Sequence, residues 1–157
     1  MVVPLPGEPM SAWVFGKLPA HGDFVARGMP AAEREALDAW LSASLMAARA
    51  HYGDAFDARF DAAQPWRADG DGVAGAIAAS QDAAGRRYPV LLLYKASDRD
   101  ASHCEALLYD AITQYWSVDD LAEAAGAAPG GAPARWYAGA TELVGARPPD
   151  LLASMLA

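Results

Sequence analysis

The chain has few basic residues relative to its acidic ones. Of its 157 residues, 12 are Lys or Arg and 20 are Asp or Glu, which gives a formal net charge of −8. Proteins that bind nucleic acid generally, or that attach to membranes through a polybasic surface, need an excess of cations against phosphate. We therefore expect no nucleic-acid partner for this chain.

Cysteine and long hydrophobic runs are also scarce. Cys104 is the one cysteine, so no intrachain disulfide can form and a reducing compartment is favoured. The longest strongly apolar run covers residues 90–94, far short of the ~20 residues that span a bilayer. The first ten residues lack the basic and apolar segments of a signal peptide. These absences predict a cytoplasmic protein that does not insert into a membrane.

The remaining pattern is that of one layered α/β domain. Apolar residues at helical spacing predict a long helix over residues 31–50 and a second one starting near Ser102, which has capping-box spacing to Glu105. We expect a Pro-rich arm over residues 1–11 and a single domain over residues 12–157. Further segments are predicted as strands at 13–15, 73–79, 88–95 and 135–138, and as shorter helices near 56–60, after Ser117 and after Pro149.

Residues 16–28 form the most unusual stretch, a loop that combines glycines with charged side chains. In one interpretation the loop presents a polar site. In the other it only connects a strand to a helix, with Phe24 and Val25 filling the core and Asp23 paired with a nearby cation. Its candidate site residues are Gly16, Lys17, Gly22, Asp23 and Arg27.

Residues 80–89 form a second polar loop, with Ser80, Asp82, Gly85 and Arg86 as candidates. Asp82 and Arg86 could recognise a partner or an anion. Alternatively, the loop is an ordinary turn in which Asp82 caps backbone N–H groups and Gly85 supplies a positive φ.

Residues with catalytic potential are few. The three histidines are spread along the chain, without zinc-ligand spacing to one another or to Cys104. His21 and Asp23 could serve as a base and its orienting carboxylate in a small hydrolase or transferase, but no nucleophile can be assigned to them. We expect no catalytic residues, no metal and no cofactor, and Cys104 as a small core residue.

The two loops together resemble the signatures of a known family. Residues 13–30 read WVFGKLPAHGDFVARGMP, and residues 80–90 read SQDAAGRRYPV. Both resemble the paired motifs of the TagF family, also called ImpM, which are accessory proteins of bacterial type VI secretion. Trp40-Leu41, Pro65-Trp66 and Arg135-Trp136 resemble further family elements, so the resemblance extends over about residues 12–157. Val14, Ala79 and Tyr137 depart from the family pattern.

The resemblance implies a compact three-layer α/β fold, and with the element order it predicts a single α/β/α domain with a mixed sheet. It implies a non-enzymatic, post-translational repressor of type VI secretion that binds a cytoplasmic component such as the forkhead-associated (FHA) domain scaffold. It also implies a functional link to a Ser/Thr kinase and phosphatase switch. The alternatives are the hydrolase or transferase above and a structural subunit of the secretion apparatus. The sequence leaves the oligomeric state open.

Net charge is unevenly divided along the chain. Residues 13–28 carry a net charge of +1 and residues 80–95 carry +2, which leaves −11 for the rest. This division predicts that the two loops are slightly basic islands on an acidic body and form an oriented docking face. We also expect the charged residues of the two loops to lie near one another, either as a buried ion-pair network or as the lining of a binding surface; they are Lys17, Asp23, Arg27, Asp82 and Arg86.

Overall fold

A computed structural model describes residues 11–96 and 100–157 of the chain. The predicted arm, residues 1–11, lies outside the described residues except for Ser11. The described part contains five α-helices and a seven-stranded sheet. The strands are β1 (Trp13–Gly16), β2 (Val25–Arg27), β3 (Trp66–Gly70), β4 (Val73–Ala78), β5 (Val90–Lys95), β6 (Arg135–Ala138) and β7 (Thr141–Val144), and the helices are α1 (Ala31–Tyr52), α2 (Phe56–Ala62), α3 (Ala101–Thr113), α4 (Val118–Ala125) and α5 (Leu151–Met155).

The strand order across the sheet is β2-β1-β5-β4-β3-β6-β7. Every pair of neighbouring strands runs antiparallel. The prediction of a mixed sheet was therefore wrong. Short connections such as Asp71-Gly72 between β3 and β4 join adjacent antiparallel strands, whereas a parallel pair needs a long crossover.

Helices cover both faces of this sheet, as a three-layer fold requires. On one face, the apolar stripe of α1, including Leu37, Leu41 and Leu45, packs with α2 and α5 into one core. On the other face, α3 and α4 pack through a second core that includes Leu108 and Leu121. The central strands β4 and β5 are buried on both faces, which explains the continuous apolar run at 90–94.

The helix ends follow local capping chemistry. The Ser117 side chain accepts a hydrogen bond from the Asp120 N–H at the start of α4, as the sequence predicts. Helix α3 instead begins with Asp100, whose carboxylate accepts from the His103 N–H. The predicted cap at Ser102 was therefore displaced by two residues, because the stronger acceptor precedes it.

Three strands were not predicted. Strand β2 has three residues, and β7 has four that are mostly exposed, so neither shows a clear alternation of buried and exposed positions. Strand β3 begins at Trp66, directly after Pro65, and contains the Asp69-Gly70 pair, which is more typical of a turn; it pairs with both β4 and β6. No helix in the described part of the chain combines the length and the apolar character needed to cross a membrane.

Candidate functional site

The two glycine-containing loops lie side by side at one end of the sheet. The first loop, residues 17–24, joins β1 to β2, and the second loop, residues 79–89, joins β4 to β5. Because β1 pairs with β5, Gly16 lies opposite Val90, next to the end of the second loop. Gly16 has φ +132°, and a Cβ there would collide with the Pro89 carbonyl oxygen. A glycine is therefore required where the two loops meet.

Asp82 lies at the centre of the contact between the loops. Its Oδ1 accepts hydrogen bonds from the backbone N–H groups of Ala84 at 2.9 Å and Arg86 at 3.0 Å. Its Oδ2 accepts from Arg86 Nε at 2.7 Å and lies 3.4 Å from Lys17 Nζ. The Asp82 side chain is completely buried, so its charge is compensated by these donors and not by water.

The environment of Asp82 changes its proton affinity. Burial acts to raise the pKa of the carboxyl group, but the hydrogen bonds from Arg86, Lys17 and Ala84 outweigh burial and lower the pKa to about 2. Asp82 is therefore ionised at physiological pH, and protonating it would remove the acceptor that these donors share.

Two hydrogen bonds to backbone carbonyls complete the contact between the two loops, which we call the loop junction. Arg86 Nη2 donates to the Gly22 carbonyl at 2.7 Å, and the Ala83 N–H donates to the His21 carbonyl at 2.7 Å. Both acceptors lie in the first loop and both donors in the second. The junction thus fixes the first loop along its length.

The second loop is also the capped turn that the sequence permitted. Asp82 caps two N–H groups, and Gly85 has φ +83°. The Ser80 carbonyl accepts from the Tyr88 N–H at 3.2 Å. The Ser80 hydroxyl is buried and has no hydrogen-bond partner in the described part of the chain, and nothing in the structure explains this.

Two of the predicted charged residues lie apart from Asp82. Asp23 is exposed and accepts from the Phe24 N–H at 2.7 Å, and within the described residues it forms no ion pair with Lys17 or Arg27. Arg27 is paired with Asp119 of α4 at 2.7 Å. The predicted pairing of Asp23 was therefore wrong, because β2 directs Arg27 to the α4 side of the sheet while Lys17 turns inward to Asp82.

Phe24 forms an exposed aromatic surface over the buried Lys17. Its ring centre is 4.7 Å from that of Tyr88 and 6.4 Å from that of Phe15. Lys17 Nζ lies 4.8 Å from the centre of the Phe24 ring, a cation–π arrangement. Phe24 remains 48% exposed whereas Val25 is buried. Only the Val25 part of the predicted core filling is therefore correct.

A cavity of about 490 Å³ opens beside Phe24, between the start of α1 and the β1–β2 edge of the sheet. We call it the Phe24 groove. Its lining residues are Phe15, Phe24, Val25, Ala26, Arg34, Glu35 and Asp38. This groove was not predicted from the sequence. The available signal was Phe24, an aromatic residue that directly follows Gly22-Asp23 in a loop.

His21 serves as a structural acceptor. Its Nε2 accepts a hydrogen bond from the Val118 N–H at 2.9 Å, at the first turn of α4. The nitrogen needed for base catalysis is therefore engaged with the backbone. Within residues 11–96 and 100–157, no group of three or more His, Cys, Asp or Glu side chains is arranged to hold a metal ion.

Comparison with known proteins identifies the family. Residues 13–132 match the TagF N-terminal domain, described as type VI secretion system-associated. No curated protein matches the chain. A crystal structure of PA0076 from Pseudomonas aeruginosa PAO1 superposes with a TM-score of 0.63 and 23% sequence identity, covering 93% of this chain and 77% of that one. This similarity shows a shared fold. Because the family match includes both signature loops and most of the chain, the protein belongs to the TagF family of type VI secretion-associated proteins.

Proposed function

We propose that this protein is a non-enzymatic, post-translational repressor of type VI secretion that acts in the cytoplasm by binding the FHA-domain scaffold of the secretion system. The proposal depends first on membership of the TagF family. The proposal also includes a functional link to a Ser/Thr kinase and phosphatase switch.

The observation that carries the proposal is the use of the signature residues. Lys17, Asp82 and Arg86 are engaged with one another, and together they hold the two loops in one arrangement. The same arrangement presents the half-exposed ring of Phe24. A rigid aromatic side chain on a preorganised loop is typical of the residues that dominate protein–protein binding.

The alternative of a hydrolase or transferase receives no comparable support. It requires a histidine free to act as a base, whereas His21 Nε2 is bound to the Val118 N–H. The Asp23 carboxylate is likewise engaged with the Phe24 N–H.

Binding to the purified FHA-domain scaffold from the same gene cluster tests the proposal. We expect the wild-type protein to bind the scaffold, and we expect its overproduction to lower type VI secretion. Deletion of the gene should raise that secretion. Absence of binding, together with unchanged secretion in both strains, would overturn the proposal.

A further inference from the structure

The Phe24 groove lies along an edge of the sheet that has a free side. Strand β2 pairs with β1, and in the described part of the chain it has no second strand neighbour. Alternate N–H and C=O groups of an edge strand point away from its partner and can pair with an added strand. The cavity beside β2 therefore adjoins backbone groups that are available for hydrogen bonding.

The register of β2 indicates what an added strand would place in the groove. Phe15 of β1 lies directly opposite Ala26 of β2, so both side chains point to the α1 face of the sheet. Ala26 is small and exposed. An extended segment paired with β2 would continue this row, and its residue opposite Ala26 would enter the groove next to Phe24.

The other face of β2 is already occupied. The Val25 side chain is buried in the core beneath α3 and α4, and Arg27 is paired with Asp119 of α4. The Phe24 groove lies instead on the α1 face, to which Ala26 points. An added strand would thus bury apolar side chains on one side of the sheet only, in the groove.

The rim of the groove is acidic. Glu35 and Asp38 line it together with Arg34, and the three side chains sum to one negative charge. The Asp38 carboxylate accepts a hydrogen bond from Ser42, whereas Glu35 is exposed and forms no ion pair among the described residues. A basic side chain flanking the apolar one would complement this rim.

We propose that the Phe24 groove and the edge of β2 bind an extended segment of the partner protein that carries an apolar residue next to a Lys or Arg. The segment adds to the sheet as a strand, its apolar side chain packs on Phe24, and its cation lies near Glu35. This inference rests on the proposed function and specifies the surface through which repression takes place.

The FHA-domain scaffold and overlapping 15-residue peptides from its sequence are the probes for the test. We expect Phe24→Ala to weaken binding of the scaffold at least about tenfold, as loss of an aromatic anchor does. Tyr109→Ala is the matched control, because Tyr109 is an aromatic residue 66% exposed on α3, on the opposite face of the sheet. It should bind as the wild type does.

Charge reversal gives an independent test that removes no packed ring. We expect Glu35→Lys to weaken scaffold binding, and to weaken binding of the basic peptides most. Glu123→Lys on α4 is the control, because Glu123 is also exposed and the net charge changes equally. Thermal unfolding of all four variants verifies that each one is folded.

The outcomes separate this inference from the proposed function. If the wild-type protein binds the scaffold and Phe24→Ala binds equally well, the docking surface is wrong and the regulator function stands. If the wild-type protein does not bind the scaffold, this inference is wrong, and unchanged secretion in both the deletion and the overproduction strain would overturn the proposed function as well. If sedimentation shows that the wild type forms dimers that Phe24→Ala abolishes, the groove holds a second copy and the inference is overturned.

Discussion

Asp82 is a buried carboxylate whose oxygens are shared among donors from three residues. Lys17 comes from the first loop, and Ala84 and Arg86 come from the second. Removing one partner from a buried charged cluster leaves the others uncompensated, which is costly. The stability of the loop junction should therefore depend on the Asp82 charge more than on any exposed carboxylate.

We expect Asp82→Asn to lower the urea midpoint of unfolding at pH 6. An amide cannot accept from all the donors at Asp82, and it carries no charge to balance Lys17 and Arg86. Asp54→Asn, at an exposed carboxylate, should change the midpoint little. Equal midpoints for the two variants would contradict the central role of Asp82.

The depressed pKa of Asp82 also predicts a pH dependence. The folded value is about 2, against an ordinary value of 3.8. The stabilisation is therefore fully present above about pH 4 and is lost as the pH falls from there towards about 2. Urea midpoints measured between pH 6 and pH 2.5 should show the gap between wild type and Asp82→Asn narrowing in this range. A difference in urea midpoint that stays constant over this pH range would contradict the depressed pKa of Asp82.

Cys104 illustrates the opposite effect of burial. Its side chain is fully buried in the α3–α4 core, and burial raises the pKa of the thiol to about 12. Because the thiolate is the reactive form and the thiol is buried, alkylation by iodoacetamide at pH 8 should be much slower in the folded protein than in 8 M urea. Rapid labelling of the native protein would show that this core opens readily.

At the scale of elements, periodicity located the helices and the central strands. The stripe on α1 and the apolar run of β5 have the length and spacing to be recognised. Strands β2 and β7 could not be recognised, because half-exposed strands of three or four residues carry too few buried positions. The sequence also linked the two loops, because both carry motifs that resemble the paired signatures of one family. It could not assign the ion pairs, since the direction of each side chain depends on the pairing of β1 with β5.

Gly16 joins these elements and provides a test of the junction. We expect Gly16→Ala to destabilise the protein by about 2 kcal/mol or more, because the residue adopts a positive φ and its Cβ would collide with Pro89. Gly22→Ala in the same loop is the matched control, since a Cβ there meets no atom within 4 Å. Chemical denaturation measures both. Similar losses for the two variants would contradict the close approach of the loops.

At the scale of the whole molecule, the cations of the predicted basic face are engaged in ion pairs with carboxylates. Lys17 and Arg86 share Asp82, Arg27 is paired with Asp119, and Arg87 is paired with Asp61. The loops carry positive charge in the sequence, but the fold brings acidic partners to it from α2 and α4. An aromatic ring and an acidic rim, rather than a basic patch, distinguish this end of the molecule.

The segment after residue 132 lies beyond the family match, yet it completes the α1 side of the core. The Trp40 indole N–H donates to the Pro148 carbonyl, and the Leu152 N–H donates to Ser44 Oγ.

We expect Leu152→Ala to lower the free energy of unfolding by about 2–5 kcal/mol, because Leu152 is completely buried between α5 and α1. Val144→Ala, at a residue 80% exposed on β7, should stay within about 0.5 kcal/mol of wild type. Urea unfolding followed by tryptophan fluorescence measures both variants. If Leu152→Ala matched Val144→Ala, the packing of the terminal helix α5 against α1 would contribute little to the stability of the protein. A large loss for Leu152→Ala alone would show that the terminal helix is part of the core that unfolds cooperatively with α1.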